Sequence, residues 1–265
     1  MLLERVNAAG GVVFYISPLL QGIGVAHAFS TRIGGVSVGA FASLNLGNPG
    51  GCAMQDDVWA IRDNYGRLTE AAGLSGRRLE RVKQVHGSRV VCVGYADDRG
   101  EPLAADAMIA DDPACTLSVR VADCVPILLA SADGRRVAAV HAGWRGVVAG
   151  VVAGVVTEMR VADRGAIIAA IGPCISMEAF EVGEEVVRAF LRLFGDKAPI
   201  TRDTTGKGHV DLRQAVRLQL LGVGISAQRI DTCDRCTHRD EGEFFSHRRE
   251  KGITGRMAAV VSARA

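Results

Sequence analysis

No stretch of this sequence is long and apolar enough to cross a membrane. The most hydrophobic run, "GVVAGVVAGVV" (146–156), is short and broken by glycine, against the roughly 18 apolar residues that a spanning helix needs. A secretory leader is not evident either. The first twenty residues carry Glu4 and Arg5 ahead of a brief apolar stretch, and they read as a first strand. The seven cysteines are odd in number and scattered from Cys52 to Cys236. That does not suit a disulfide framework, and it suits the reduced thiols of a cytoplasmic protein. A net charge of +2 lacks the basic excess of a nucleic-acid surface. Six histidines without one H-x-H pair supply a multicopper cluster poorly. No repeat, low-complexity tract or Pro/Ser-rich linker divides the chain, so residues 1–265 read as one domain.

What is present is ordinary globular material, 48% hydrophobic and 23% charged, enough for a sizeable core. Short β-rich runs recur at 11–16, 25–31, 89–95, 107–110, 116–130, 135–143, 166–172 and 255–263. Helical spacing of apolar residues marks 55–74, 145–161, 183–195 and 211–224. The second of these is glycine-rich and apolar, fit to lie against a sheet. Mixed strands with helices covering sheet faces predict an α/β (α+β) fold.

One turn is oddly furnished. The apolar run "RRVAAV" ends in His141-Ala142-Gly143-Trp144-Arg145-Gly146, imidazole, indole and guanidinium crowded where small polar residues would serve. His86 in "KQVHGSRVV" and Cys124 in "RVADCVPILLA" sit in similar strand-end settings. Two imidazoles and a thiolate suit zinc, and three protein ligands leave a fourth position open. Separations of 38 and 17 residues match no compact zinc motif. A buried thiol with two hydrogen-bonded histidines explains them equally well, and so does a nucleophilic Cys124 with His141 as its base. The pair Cys233 and Cys236 in "CDRC" has no second C-x-x-C partner and reads as a chance pair. Two glycine-flanked segments, "FSTRIGGVSVGAFASLNLG" (29–47) and "FFSHRREKGITGR" (244–256), group arginines with hydroxyls and amides, the donors an oxyanion requires.

These segments, with "IGPCI", stand in the order found in the YfiH family of laccase-domain proteins, which the chain resembles from about residue 11 to its end. That family has been labelled multicopper polyphenol oxidase, peptidoglycan editing factor and purine nucleoside phosphorylase. The resemblance implies a layered α/β/β/α sandwich, similar to the catalytic domain of cytotoxic necrotising factor. It implies a zinc held by His86, Cys124 and His141, with copper as an alternative metal. By the same resemblance these residues are catalytic, Trp144 walls the pocket or packs into the core, and Arg145 orients an anion or caps the next helix. Ser30, Arg32, Asn45 and Arg248 are the residues expected to hold phosphate and ribose. The expected substrates are purine nucleosides (inosine, adenosine, S-methyl-5'-thioadenosine) and phosphate, with adenosine deamination as a second activity. A thiol amidohydrolase of cell-wall precursors, a laccase-like oxidase and a non-enzymatic envelope partner are the competing functions. Two departures stand out. The family's "ENR" is "DNY" (63–65), which leaves Arg62 or Arg67 to replace the arginine, and its "SYRRDG" becomes "SHRREKG", with His247 in place of tyrosine.

Overall fold

In β-structure successive side chains face opposite ways, so a strand buried on both faces reads as an unbroken apolar run. The segment "VAAVHA" does this. Ala138, Val140 and Ala142 enter one core, while Val137 and Ala139 enter another. The computed structural model describes residues 1–94, 102–161 and 165–265. Its strands are β1 (Glu4–Asn7), β2 (Val13–Ile16), β3 (His27–Ser30), β4 (Arg78–Arg81), β5 (Val90–Val93), β6 (Ala107–Ala110), β7 (Cys115–Val121) and β8 (Val125–Ser131). There follow β9 (Val137–Ala142), β10 (Ile167–Ile171), β11 (Glu181–Val182), β12 (Ile200–Arg202), β13 (Gly208–Val210), β14 (Ile230–Thr232) and β15 (Met257–Val261). The helices are α1 (Pro18–Gly22), α2 (Val58–Ala71), α3 (Trp144–Val148), α4 (Val151–Arg160), α5 (Glu184–Phe194) and α6 (Leu212–Gly222).

Two six-stranded sheets carry the fold, ordered β1-β2-β3-β15-β7-β4 and β14-β10-β8-β9-β6-β5, beside a three-stranded sheet β11-β13-β12. Both large sheets are mixed. β4–β7, β5–β6 and β10–β14 run parallel and the other pairs antiparallel. Between the large sheets lies a core that includes Phe29, Leu117, Val119 and Met257 from one and Met108, Leu128 and Ala170 from the other. The outer face of the first sheet meets α2 through Ile61, Tyr65 and Leu68. The outer face of the second meets α4, α5 and α6 through Val155, Phe190 and Val216. The layers are therefore α/β/β/α, as the resemblance implied. Among the described residues no helix is long and apolar enough to cross a membrane.

Several expected boundaries move, for identifiable reasons. The run 116–130 is two strands, because Asp123 adopts a left-handed φ of 87° and passes the chain from the first large sheet to the second. The helix expected over 145–161 breaks at Gly150, φ 81°, into α3 and α4. Gly10 and Gly11 turn with φ of 82° and 80°, which delays β2 to Val13. The helix expected at 55–74 starts only at Val58, where the Asp57 carboxylate accepts the Trp59 amide at 2.9 Å, an N-cap. Tyr95, the last residue of the run 89–95, lies outside the described residues.

His27, buried in β3, accepts the Ser17 amide on Nε2 at 2.7 Å and faces the Val25 carbonyl with Nδ1 at 2.9 Å. A carbonyl only accepts, so Nδ1 carries the single proton and the ring is neutral. Burial holds its pKa below the ordinary 6.5. The unfolded chain thus binds the extra proton more readily. The stability contributed by neutral His27 is complete above pH 6.5 and is lost as pH falls through the depressed value. His27→Gln is expected to shrink the fall in Tm between pH 7 and pH 5 relative to the parent. Superimposable pH profiles would show that the ring does not contribute.

Candidate functional site

Two sheet-to-sheet crossings and one strand end supply the three predicted ligands. Cys124 follows Asp123 in the three-residue link from β7 to β8. His86 sits in the longer link from β4 to β5, itself left-handed at φ 60°, a conformation uncommon for a side chain that is neither Gly nor Asn. His141 belongs to β9, paired with Pro126 of β8. The donor atoms of His86, Cys124 and His141 lie within 4.8 Å of one another, and the two imidazoles meet edge to face with centroids 4.8 Å apart.

One buried carboxylate organises both histidines. Asp106 Oδ1 accepts the His141 Nδ1 proton at 2.8 Å and the His86 amide at 2.9 Å. Its Oδ2 accepts the amides of Gly87 at 2.6 Å and Val85 at 3.2 Å. The His141 tautomer is thereby fixed, with Nε2 turned to the thiol, and the strained backbone at His86 is tied down. Burial opposes a charge on Asp106, but the His141 hydrogen bond and the amides hold its pKa below the ordinary carboxylate value. Burial likewise opposes the Cys124 thiolate, yet the adjoining His141 and His86 bring it down to about 6. Burial opposes charging of His141, which Cys124 and Asp106 nevertheless raise to about 9.

The donor set fits a soft or borderline divalent cation, with a thiolate and an imidazole Nε2 directed at a common point. The cradle depends on Gly143. A Cβ there would lie 2.9 Å from His86 Cδ2 and 3.1 Å from Cys124 Sγ.

The trio lines a cavity of about 550 Å³. Its lining mixes apolar side chains, among them Trp144, Phe180, Ile175 and Leu212, with polar ones, among them Asn48, Lys83, Gln84, Arg120 and Arg256. Arg145 and Arg248 reach in beside the aromatics, 4.4 Å from the Trp144 centroid and 5.3 Å from that of Phe180. Trp144 thus stands in the wall where the resemblance put it, and Arg145 stacks on it from the first turn of α3.

The expected phosphate residues separate. Arg248 lines the cavity, held by its amide on Asp123 Oδ2 at 2.7 Å and its guanidinium on the Glu181 carbonyl at 2.8 Å. Ser30, Arg32 and Asn45 are absent from the lining. Ser30 Oγ accepts the Ala258 amide at 2.9 Å between β3 and β15. Arg32 donates to the Ala42 and Glu241 carbonyls and covers the Phe245 ring at 4.4 Å. Asn45 Oδ1 accepts the amides of Gly47 at 3.1 Å and Arg256 at 2.8 Å, and Nδ2 donates to Asp56 at 2.8 Å. The hydroxyls and amides of 29–47 therefore brace the loop. Asn45→Ala, which removes the acceptor of the Gly47 and Arg256 amides and a donor to Asp56, is expected to cost about 1–3 kcal/mol. The readout is a lower urea midpoint at constant m-value, and an unmoved midpoint would refute the bracing role.

Neither Arg62 nor Arg67 replaces the missing arginine of "DNY". Arg62 stacks on the exposed Trp59, and Arg67 pairs with Asp63. Tyr65 is buried instead, hydrogen-bonded to Ser118 at 3.1 Å with Arg81 across its ring. His247 does line the cavity, its pKa lowered by burial and then by Arg256. The Cys233–Cys236 pair is packing material. Burial pushes the Cys233 thiol up to about 12, and Cys236 Sγ accepts the Ser176 and Arg239 amides. Sequence reading missed Asp106, Asp123, Gln84, Arg120 and Arg256. All but Asp106 lay inside quoted motifs, passed over beside the ligands.

The profile of the family described as multi-copper polyphenol oxidoreductase laccase matches residues 26–264. The chain is 37% identical over 250 residues to the purine nucleoside phosphorylase of Deinococcus radiodurans, covering 92% of each chain. It is 39% identical over 241 residues to the purine nucleoside phosphorylase YfiH of Escherichia coli, covering 90% of this chain and 93% of that one. The crystal structure of YlmD from Geobacillus stearothermophilus superposes with a TM-score of 0.87 at 32% identity, over 98% of this chain and 99% of that chain.

Proposed function

The chain belongs to the multi-copper polyphenol oxidoreductase laccase family, and from that premise we propose that it is a zinc-dependent purine nucleoside phosphorylase. Its substrates are inosine, adenosine and S-methyl-5'-thioadenosine, with adenosine deamination as a side activity. The relatives' names support this reading, and one observation carries it. A His-Cys-His trio opens onto a cavity lined by both aromatic rings and arginines. Its volume suits a ligand of nucleoside size.

In phosphorolysis a phosphate oxygen bonds to the anomeric carbon as the bond from that carbon to the purine nitrogen breaks. The bonding pair leaves with the base, which takes up a proton. Trp144 and Phe180 offer flat surfaces to the purine. The arginines balance the phosphate charge in a site partly withdrawn from water. Zinc, or copper in its place, would be held by His86, Cys124 and His141 and would supply Lewis acidity there. Asp106 keeps the His141 Nδ1 proton out of that chemistry. Multicopper oxidation has less support. Among the described residues only one cluster of candidate ligands contains two imidazoles.

The test supplies inosine and adenosine with and without phosphate and separates the products by chromatography. Hypoxanthine and ribose 1-phosphate are expected from inosine only when phosphate is present, and inosine from adenosine in either case. No base released and no inosine formed under any condition would end the nucleoside reading. One observation favours a second reading. Cys124, His141 and Asp106 stand in the order of a thiol hydrolase triad. Such a hydrolase keeps its activity after metal is chelated.

A further inference from the structure

We propose that Arg120 and Arg256 form the phosphate grip of the cavity, two converging guanidinium forks that bind a tetrahedral oxyanion. The proposal rests on the phosphorylase reading for the identity of that anion, inorganic phosphate.

The two arginines come from neighbouring strands. Arg120 on β7 pairs with Ala258 of β15, and Arg256 lies two residues before Ala258. Positions so related lie diagonally on one face of an antiparallel pair, within reach of long side chains. Both backbones are clamped by side-chain amides. Gln84 donates to the Arg120 carbonyl at 2.7 Å and accepts its amide at 2.9 Å, while Asn45 accepts the Arg256 amide at 2.8 Å. One nitrogen of Arg256, Nη1, is further fixed on the Thr254 and Gly255 carbonyls at 3.0 Å each. Space for Arg120 is reserved by Gly47, where a Cβ would stand 2.7 Å from its Cδ.

These cations are not closed off in ion pairs. Elsewhere the protein pairs Arg5 with Glu243, Arg136 with Asp111 and Arg202 with Glu184. Among the described residues neither Arg120 nor Arg256 forms an ion pair. The acid beside them in the lining, Asp123, is occupied by the Thr237 hydroxyl at 2.7 Å and the Arg248 amide at 2.7 Å. Burial disfavours the charge on Arg256 and Arg120 adds to this, while Asp123 and Cys124 offset only part of it. Two like charges held together, one of them desolvated, are costly unless an anion joins them. Planar forks match a phosphate better than any single ammonium does. Arg145 and Arg248 are held instead against the rings of Trp144 and Phe180.

The test titrates sodium phosphate calorimetrically into the metal-loaded parent and into Arg120→Met, Arg256→Met and Arg256→Lys, without nucleoside. Each methionine variant is expected to bind phosphate about ten- to a hundredfold more weakly, the size of a lost charge-assisted hydrogen bond. Arg256→Lys is expected to fall between the parent and Arg256→Met, and it stands in for the latter should that variant not fold. Inosine KM and metal content are expected to stay within about twofold. Parent-like phosphate affinity in Arg120→Met and Arg256→Lys, or a parent that binds no phosphate, overturns the grip. A parent that binds phosphate but cleaves neither inosine nor adenosine defeats the phosphorylase reading and leaves the grip standing. A parent that phosphorolyses inosine while Arg120→Met keeps its phosphate KM defeats the grip alone.

Discussion

Cys124→Ala is expected to yield a folded chain with no stoichiometric zinc and at least about a thousandfold less inosine cleavage. The rate follows from the chemistry that a resident metal contributes, several kcal/mol at the transition state. Folding should survive, because Cys124 is only half-buried and losing one sulfur atom leaves a small gap. A cost of about 1 kcal/mol or less is expected. Elemental analysis reads the metal and thermal unfolding reads the fold. Metal content equal to the parent's would remove Cys124 from the ligand set. The companion experiment chelates the parent. Loss of activity there, restored by zinc, places the thiolate on a metal, whereas full activity in chelator identifies Cys124 as a nucleophile.

Asp106→Ala should do comparable damage from outside the cavity. Four donors converge on this carboxylate, and removing it leaves the His86 loop amides and the His141 ring proton without an acceptor. A loss of about 3–5 kcal/mol of stability is expected from breaking so buried a set. Metal affinity should fall about ten- to a hundredfold, the usual cost of losing a ligand's orienting partner. Asp106→Asn separates the two effects. It keeps one acceptor and much of the stability, but its amide cannot reproduce the same set of acceptances. Competition with a metal-binding dye should still show weaker uptake. A variant that competes as well as the parent would reduce Asp106 to a purely structural role. Its carboxylate pKa is depressed, so its contribution is full at neutral pH and fades only as pH falls through the acid range below about 4.

How far the sequence discloses this architecture depends on what the signal was. Unbroken apolar runs exposed β8 and β9, and helical spacing exposed α2, α5 and α6, because burial imposes those patterns locally. The breaks were hidden. Turns are sought at glycine or asparagine, whereas the link from β7 to β8 turns at Asp123 and the loop before β5 turns at His86. Short polar strands such as β4 and β13 offered no period at all. At the site, ordered motifs pointed to His86, Cys124 and His141, which the structure brings together. The supporting groups were silent because their meaning is tertiary. Asp106 acts on a ring 35 residues away, and Gln84 on a backbone 36 residues away. Asn45 was singled out for its chemistry, correctly as a polar anchor, but what it anchors is the backbone of Arg256.

The place of β15 in its sheet has a consequence for biosynthesis. It lies between β3 and β7, yet it is the last of the described strands to be translated. Until about 260 residues have cleared the ribosome, the strands that will flank it present unpaired edges, a template for association with other nascent chains. The half-made sheet cannot close early, since its central pairings span most of the sequence, and such long-range closure is slow. A premature stop just before Met257 would therefore release a chain with most of its hydrophobic residues and two open sheet edges. Such a product is a substrate for chaperones and proteases rather than a partly active enzyme.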